Sequence, residues 1–247
     1  MQKKPRRVLK RLLWALAIVL VLAVGGVLAY TQIGVMSAER GPLAEARENS
    51  AITVTDAAQG IVLAPADGDS DQGLVFIPGA KVDPWAYAAV LQGLAEQGVT
   101  VVITRPWLNL AFFDPRGLDE FTSAAPDVES WAVGGHSLGG VRACQLAPDA
   151  DALVLFASYC ANDLSGTDLP VLSVAGSEDG LSTPEKIADA RPKLPADAEL
   201  IEIDGASHAS FGDYGPQAGG GEPTLSDEEM HAEVTDVVGG FLQTLPR

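Results

Sequence analysis

Three side chains, far apart along the chain, have the types and order needed for nucleophilic chemistry: Ser137, Asp179 and His208. Ser137 stands in Gly135-His136-Ser137-Leu138-Gly139, between an apolar run and a helix-compatible segment from Val141 to Ala147. A serine hydroxyl attacks a carbonyl only when a base takes its proton, and that base must be oriented by a third group. On a sharp strand-to-helix turn the backbone lifts the hydroxyl clear of the sheet, and glycine two positions either side avoids collision with neighbouring backbone. The helix start also offers free N–H groups and a positive dipole end where an oxyanion would form. The five-residue pattern alone is weak, since it arises by chance in about one chain in ten of this length. A glycine-rich strand–helix turn is the plain alternative, so context must decide.

The elements around the motif supply that context. Ala51–Thr55 and Gln59–Ala64 read as a hairpin, and Leu74–Ile77 and Val99–Thr104 as strands buried on both faces. Asp83-Pro84 opens a helix over Trp85–Gln97, and Thr183-Pro184 repeats the same device before a helix ending near Arg191. Arg105–Glu129 is irregular, with a short helix expected near Leu118–Thr122. Ala152–Ala157, Val171–Gly176 and Leu200–Ile203 are further strands. Ser226-Asp227-Glu228-Glu229 is a capping box ahead of an amphipathic helix carrying Met230, Val234, Val237, Val238, Phe241, Leu242 and Leu245. Strands alternating with helices predict an α/β fold with a doubly wound, mostly parallel sheet.

In such sheets, reactive groups sit on loops beyond the carboxyl ends of strands. Asp179, in Gly176-Ser177-Glu178-Asp179-Gly180, and His208, after Gly205-Ala206-Ser207, both directly follow strands. Asp163 and Glu178 are rival acids. Asp179 is preferred because glycines flank it. Of the other histidines, His136 should point away from the site on an elbow, and His231 should be solvated on the last helix. One oxyanion donor is the Leu138 N–H. The second is expected on the loop after Ile77, from Ala80 N–H with Lys81 N–H as the alternative. The glycine-rich stretch from Ala209 to Gly221 lies near the site, either closing over substrate or simply leading to the last helix. A calcium role for Asp213 and Glu222 in this region is not favoured.

Charge and hydropathy divide the chain. Residues 1–11 are a basic tail with six Lys or Arg and no acid, whereas the remainder carries 10 bases against all 33 acids, a net charge of −23. That acidity argues against nucleic acid as a partner and disfavours docking on anionic headgroups. Residues 12–30 hold no charge and would span about 28 Å as a helix, close to the bilayer hydrocarbon thickness of about 30 Å. Trp14 and Tyr30 sit near the ends, and the basic tail places the N-terminus in the cytoplasm. A cleaved signal peptide is the rival, with Val27-x-Ala29 as a loose cleavage site, but the apolar run exceeds the usual 7–15-residue signal core. Either reading exports the remainder, through a linker over 31–50, to a domain spanning 51–247. Cys144 and Cys160 then lie where disulfides are permitted, and a bridge between them is geometrically feasible.

From about Ile52 onward the chain resembles α/β-hydrolase-fold proteins, in particular small dienelactone-hydrolase-like esterases. The resemblance rests on Gly135-His136-Ser137-Leu138-Gly139-Gly140, on Gly176-Ser177-Glu178-Asp179-Gly180 and on Ser207-His208. It implies hydrolysis of a small-molecule ester or thioester through an acyl-serine, with neither metal nor organic cofactor. Two departures stand out. Pro78-Gly79 replaces the His-Gly that often opens the oxyanion loop, and Ala157 to Val171 leaves no room for an inserted cap. An uncapped site should be open and suit bulky acyl substrates. A non-catalytic binding protein on this fold, or an acyltransferase or perhydrolase using the same three residues, are the competing readings. The oligomeric state is not encoded in any pattern identified.

Overall fold

A computed structural model of the chain describes residues 4–68 and 70–245. Lys3 of the basic tail, and the last two residues of the domain, fall outside that range. Helix α1 (Lys4–Gln32) leads into α2 (Arg40–Glu48), so the stretch read as linker contains a helix of its own. Strands β1 (Ile52–Asp56), β2 (Gly60–Pro65) and β3 (Gln72–Ile77) follow, then α3 (Ala88–Glu96) and β4 (Val99–Thr104). Next come α4 (Leu118–Thr122), β5 (Ser130–His136), α5 (Leu138–Leu146), β6 (Ala152–Phe156) and β7 (Val171–Gly176). Helix α6 (Pro184–Ala190), β8 (Glu199–Ile203) and α7 (Asp227–Gln243) complete the chain.

The eight strands form one sheet in the order β1-β2-β4-β3-β5-β6-β7-β8. Strands β1, β2 and β4 pair antiparallel in succession, and every other neighbour is parallel. Both faces are covered. Leu74, Phe76, Val101, Ile103, Ala132 and Val154 point into a core shared with α3 and α7. Their alternates Val75, Ile77, Val102, Val133, Leu153 and Leu155 point into a second core with α4 and α5. This period-two division is why these strands read as unbroken apolar runs.

The fold fixes where chemistry can occur. Strand order reverses between β3 and β5, and the crevice beyond their carboxyl ends is the usual ligand position in open α/β sheets. The loops after β3, β4, β5, β7 and β8 all emerge along this one edge. Cys144 on α5 and Cys160 beyond β6 are bonded, with Cα atoms 5.5 Å apart. The bond ties the helix behind the elbow to the loop after the next strand.

Helix α1 stands apart from both cores. Val8–Gln32 is long and apolar enough to cross a membrane, and its large apolar side chains are exposed. The sequence after it docks on the domain through a short parallel bridge between Met36 and Val82.

Candidate active site

Ser137 occupies a strained turn, at φ 52° and ψ −120°, where β5 meets α5. A left-handed conformation of this kind disfavours any side chain by about 1–2 kcal/mol and persists only when its surroundings over-determine it. Here they do. A Cβ on Gly139 would strike the carbonyl oxygens of Ile77 and Pro78, and one on Gly135 would strike the backbone of Gly139. Ser158 Oγ donates to the Ser137 carbonyl at 2.6 Å, which closes the turn from its other side.

Asp179 is buried on the turn after β7. Its Oδ1 accepts from the N–H groups of Leu181 (2.7 Å) and Ser182 (2.8 Å), leaving Oδ2 to meet His208 Nδ1 at 2.8 Å. The His208 ring is also buried. The glycine-rich loop decides how these two residues meet. Gly220 C=O accepts from both His208 N–H (2.8 Å) and Gly180 N–H (3.3 Å), so one carbonyl ties the acid turn to the histidine. Gly221 (φ 88°) has no room for a Cβ against the Glu178 carbonyl. The loop is thus a clamp between two members of the site.

Asp179 and His208 are joined directly. Ser137 is not: among the described residues its hydroxyl makes no hydrogen bond to the His208 ring. The ring of His136, the residue before Ser137, lies 4.6 Å from that of His208. Such bonds commonly tighten only when substrate is bound.

A model of the alpha/beta hydrolase family matches residues 73–232, from β3 into α7. The chain belongs to the alpha/beta hydrolase family. No curated protein matches it. In this member of the family the elbow, the acid turn and the histidine loop all lie within the matched region.

The rival residues go elsewhere. Asp163 is exposed, and the hydroxyl and then the N–H of Ser165 in its own loop hold its carboxyl below the usual range. Glu178 is exposed. Expectations for the other two histidines need correction. His231 is not simply solvated: its Nε2 lies 2.9 Å from Asp213 Oδ1 and its side chain is 20% exposed. Burial opposes its charge, but the hydrogen bond and charge of Asp213, with Asp227 and Glu45, raise its pKa overall. His136 does not point away from the site. It is buried against His208, with Nδ1 2.9 Å from the Tyr87 hydroxyl. An elbow turns the serine outward, and the residue before it, still on β5, must then point into the core.

Tyr87 was not singled out from the sequence, and it is the partner that His136 meets. The Tyr87 hydroxyl accepts from Gly79 N–H at 2.9 Å, so its own proton is free for His136 Nδ1. The His136 proton then sits on Nε2, which is buried without a partner. Burial first, then the charge of His208, hold the His136 pKa well below its ordinary value, so this ring is neutral. A usable signal existed: a tyrosine and a histidine inside apolar segments need polar partners.

This network also sorts the donors on the loop after β3. Gly79 N–H is taken by Tyr87, and Lys81 N–H by the Asn109 carbonyl at 2.8 Å. Between them, Ala80 N–H has no partner among the described residues. On the other side, Leu138 is the first residue of α5, so its N–H has no intrahelical acceptor.

A cleft of about 480 Å³ lies beside Trp131, Asp149 and Asp151. Those residues sit at the starts of β5 and β6, the sheet edge opposite Ser137. Open α/β sheets hold ligands at the edge on which Ser137 lies, not at this one.

Proposed function

We propose that the chain is a membrane-tethered, extracytoplasmic serine hydrolase that cleaves a carboxylic ester or thioester through an acyl-serine. The observation that carries this reading is the buried Asp179–His208 pair beside the strained Ser137 turn. Asp179 holds the proton of His208 on Nδ1, leaving Nε2 free to accept one. His208 takes the Ser137 proton as Oγ attacks the acyl carbon, and returns it to the leaving alcohol or thiol. Water, deprotonated by the same ring, then releases the acid and regenerates the serine. Leu138 and Ala80 N–H groups stabilise the oxyanion, each contributing about 3 kcal/mol in comparable sites.

The apolar length of α1 and the basic residues at its start support an uncleaved anchor with its N-terminus in the cytoplasm. The Cys144–Cys160 bond supports an oxidising compartment for the domain. Between Ala157 and Val171 there is neither helix nor strand, which supports an uncapped site.

The decisive experiment is labelling with a fluorophosphonate probe. The native chain should label and should hydrolyse short p-nitrophenyl esters, and Ser137→Ala should abolish both. Unchanged labelling of Ser137→Ala would exclude this serine as the nucleophile.

A further inference from the structure

The end of α1 does not leave the domain at an arbitrary place. Asn109 Nδ2 donates to the Thr31 carbonyl at 3.1 Å, and the Lys81 ammonium lies 4.5 Å from the Tyr30 ring centre. Thr31 itself is fully buried against the domain. Five residues later, Met36 N–H donates to the Lys81 carbonyl, and the Met36 carbonyl accepts from Asp83 N–H. The helix is therefore pinned to the loops after β3 and β4, on the same sheet edge as Ser137, Asp179 and His208. From Gln32 to Met36 the chain can reach at most about 14 Å.

The second observation is an apolar surface at this junction. Pro106–Phe113 contains no charged residue, and Trp107, Phe112 and Phe113 are 56%, 62% and 46% exposed. Large aromatics on one short loop of an otherwise strongly acidic domain mark an interaction surface. The loop is held in a strained shape: Leu108 and Asn109 both have φ 56°, and Lys81, bonded to Asn109, has φ 57°. Strain of this kind is retained where a fixed geometry is needed.

The geometry points to one occupant for this surface, the outer leaflet of the bilayer that α1 crosses. If residues 12–30 fill the hydrocarbon layer, Thr31 and its partner Asn109 lie at headgroup depth. Trp107, Phe112 and Phe113 then flank the anchor where interfacial aromatics partition. The domain docks with its reactive edge towards the lipid, and the net charge of −23 after residue 11 makes that docking apolar, suited to zwitterionic headgroups. Its substrate class is accordingly an acyl ester dissolved in the membrane, presented from the leaflet to Ser137. This deepens the hydrolase reading above and rests on it and on the anchor.

The test uses the full chain in phosphatidylcholine nanodiscs, with p-nitrophenyl palmitate dissolved in the disc and p-nitrophenyl butyrate in solution. The triple variant W107S/F112S/F113S should lose about tenfold or more on the palmitate while keeping its butyrate rate, which also reports that it is folded. Equal loss on both esters, or no loss on the palmitate, would overturn the docking. A second readout is independent of activity. Brominated phosphatidylcholine should quench tryptophan fluorescence of the W14F chain, and W14F/W107F should lose most of that quenching. Identical quenching of the two chains would overturn it as well. Failure of the hydrolase reading would look different, as absent turnover of both esters by the native chain with the quenching difference intact.

Discussion

The rings of His136 and His208 pack 4.6 Å apart, so the residue preceding the proposed nucleophile is a wall of the proposed base. Through Tyr87 the same wall reaches Gly79, the residue before the free Ala80 N–H. His208 and the loop after β3 are thus held to one another by a buried chain of hydrogen bonds and ring contacts. Each link is a place where a small change should be read out in catalysis.

Tyr87→Phe removes one oxygen and leaves Gly79 N–H and His136 Nδ1 both unpaired in the core. The expected loss is about 2–3 kcal/mol of stability. If the network positions the oxyanion loop, kcat should fall about tenfold with KM nearly constant. Urea unfolding and steady-state kinetics on a short ester check the two parts separately.

Asp179→Asn should leave the fold intact and act through tautomer choice. Two backbone N–H groups fix the side-chain oxygen at the Oδ1 position, so the new amide NH₂ must face His208 Nδ1. That nitrogen would then have to accept, forcing the proton onto Nε2, where it cannot take one from Ser137. A fall of about 10³–10⁴ in kcat is expected, as in other triads of this design. Retained thermal stability with lost turnover is the signature. An unaffected rate would assign the orienting role elsewhere.

Two histidines should give opposite pH dependences of stability. His136 is held neutral by burial and by His208, so its unfolded ring binds a proton that the folded one refuses. Its contribution is present above about pH 6.5 and lost as pH falls towards the folded-state value. His231 has a raised pKa from Asp213 and its acidic neighbours despite burial. Its contribution is full below about pH 6.5 and lost as pH rises through the folded-state value. His231→Gln should therefore cost about 1 kcal/mol more at pH 5.5 than at pH 9. Urea midpoints at the two pH values test the sign, and an equal loss at both would exclude a charged pair.

Much of the architecture was legible from pattern. Buried strands such as Leu74–Ile77 announce themselves because both faces are covered, and the Ser226–Glu229 capping box fixes the start of α7 through local hydrogen bonds alone. The elbow was legible because glycine at positions 135 and 139 answers a steric demand made within a few residues. Helix α2 was not, since Arg40–Glu48 is short and weakly apolar and is held by packing against α3.

By itself, the sequence determined the sheet class, the order of serine, acid and histidine, and an apolar segment of membrane length, because each is a matter of local period or chain order. Only the tertiary structure decided which neighbours those residues have. It gave Asp179 to His208 through the Gly220 carbonyl, set His136 against His208 instead of away from it, and left Ala80 N–H free by engaging the N–H groups on either side. It also fastened the end of α1 to the reactive edge through Asn109 and Lys81. These contacts join residues from 8 to 78 positions apart, and no local propensity encodes which distant group will satisfy a buried donor.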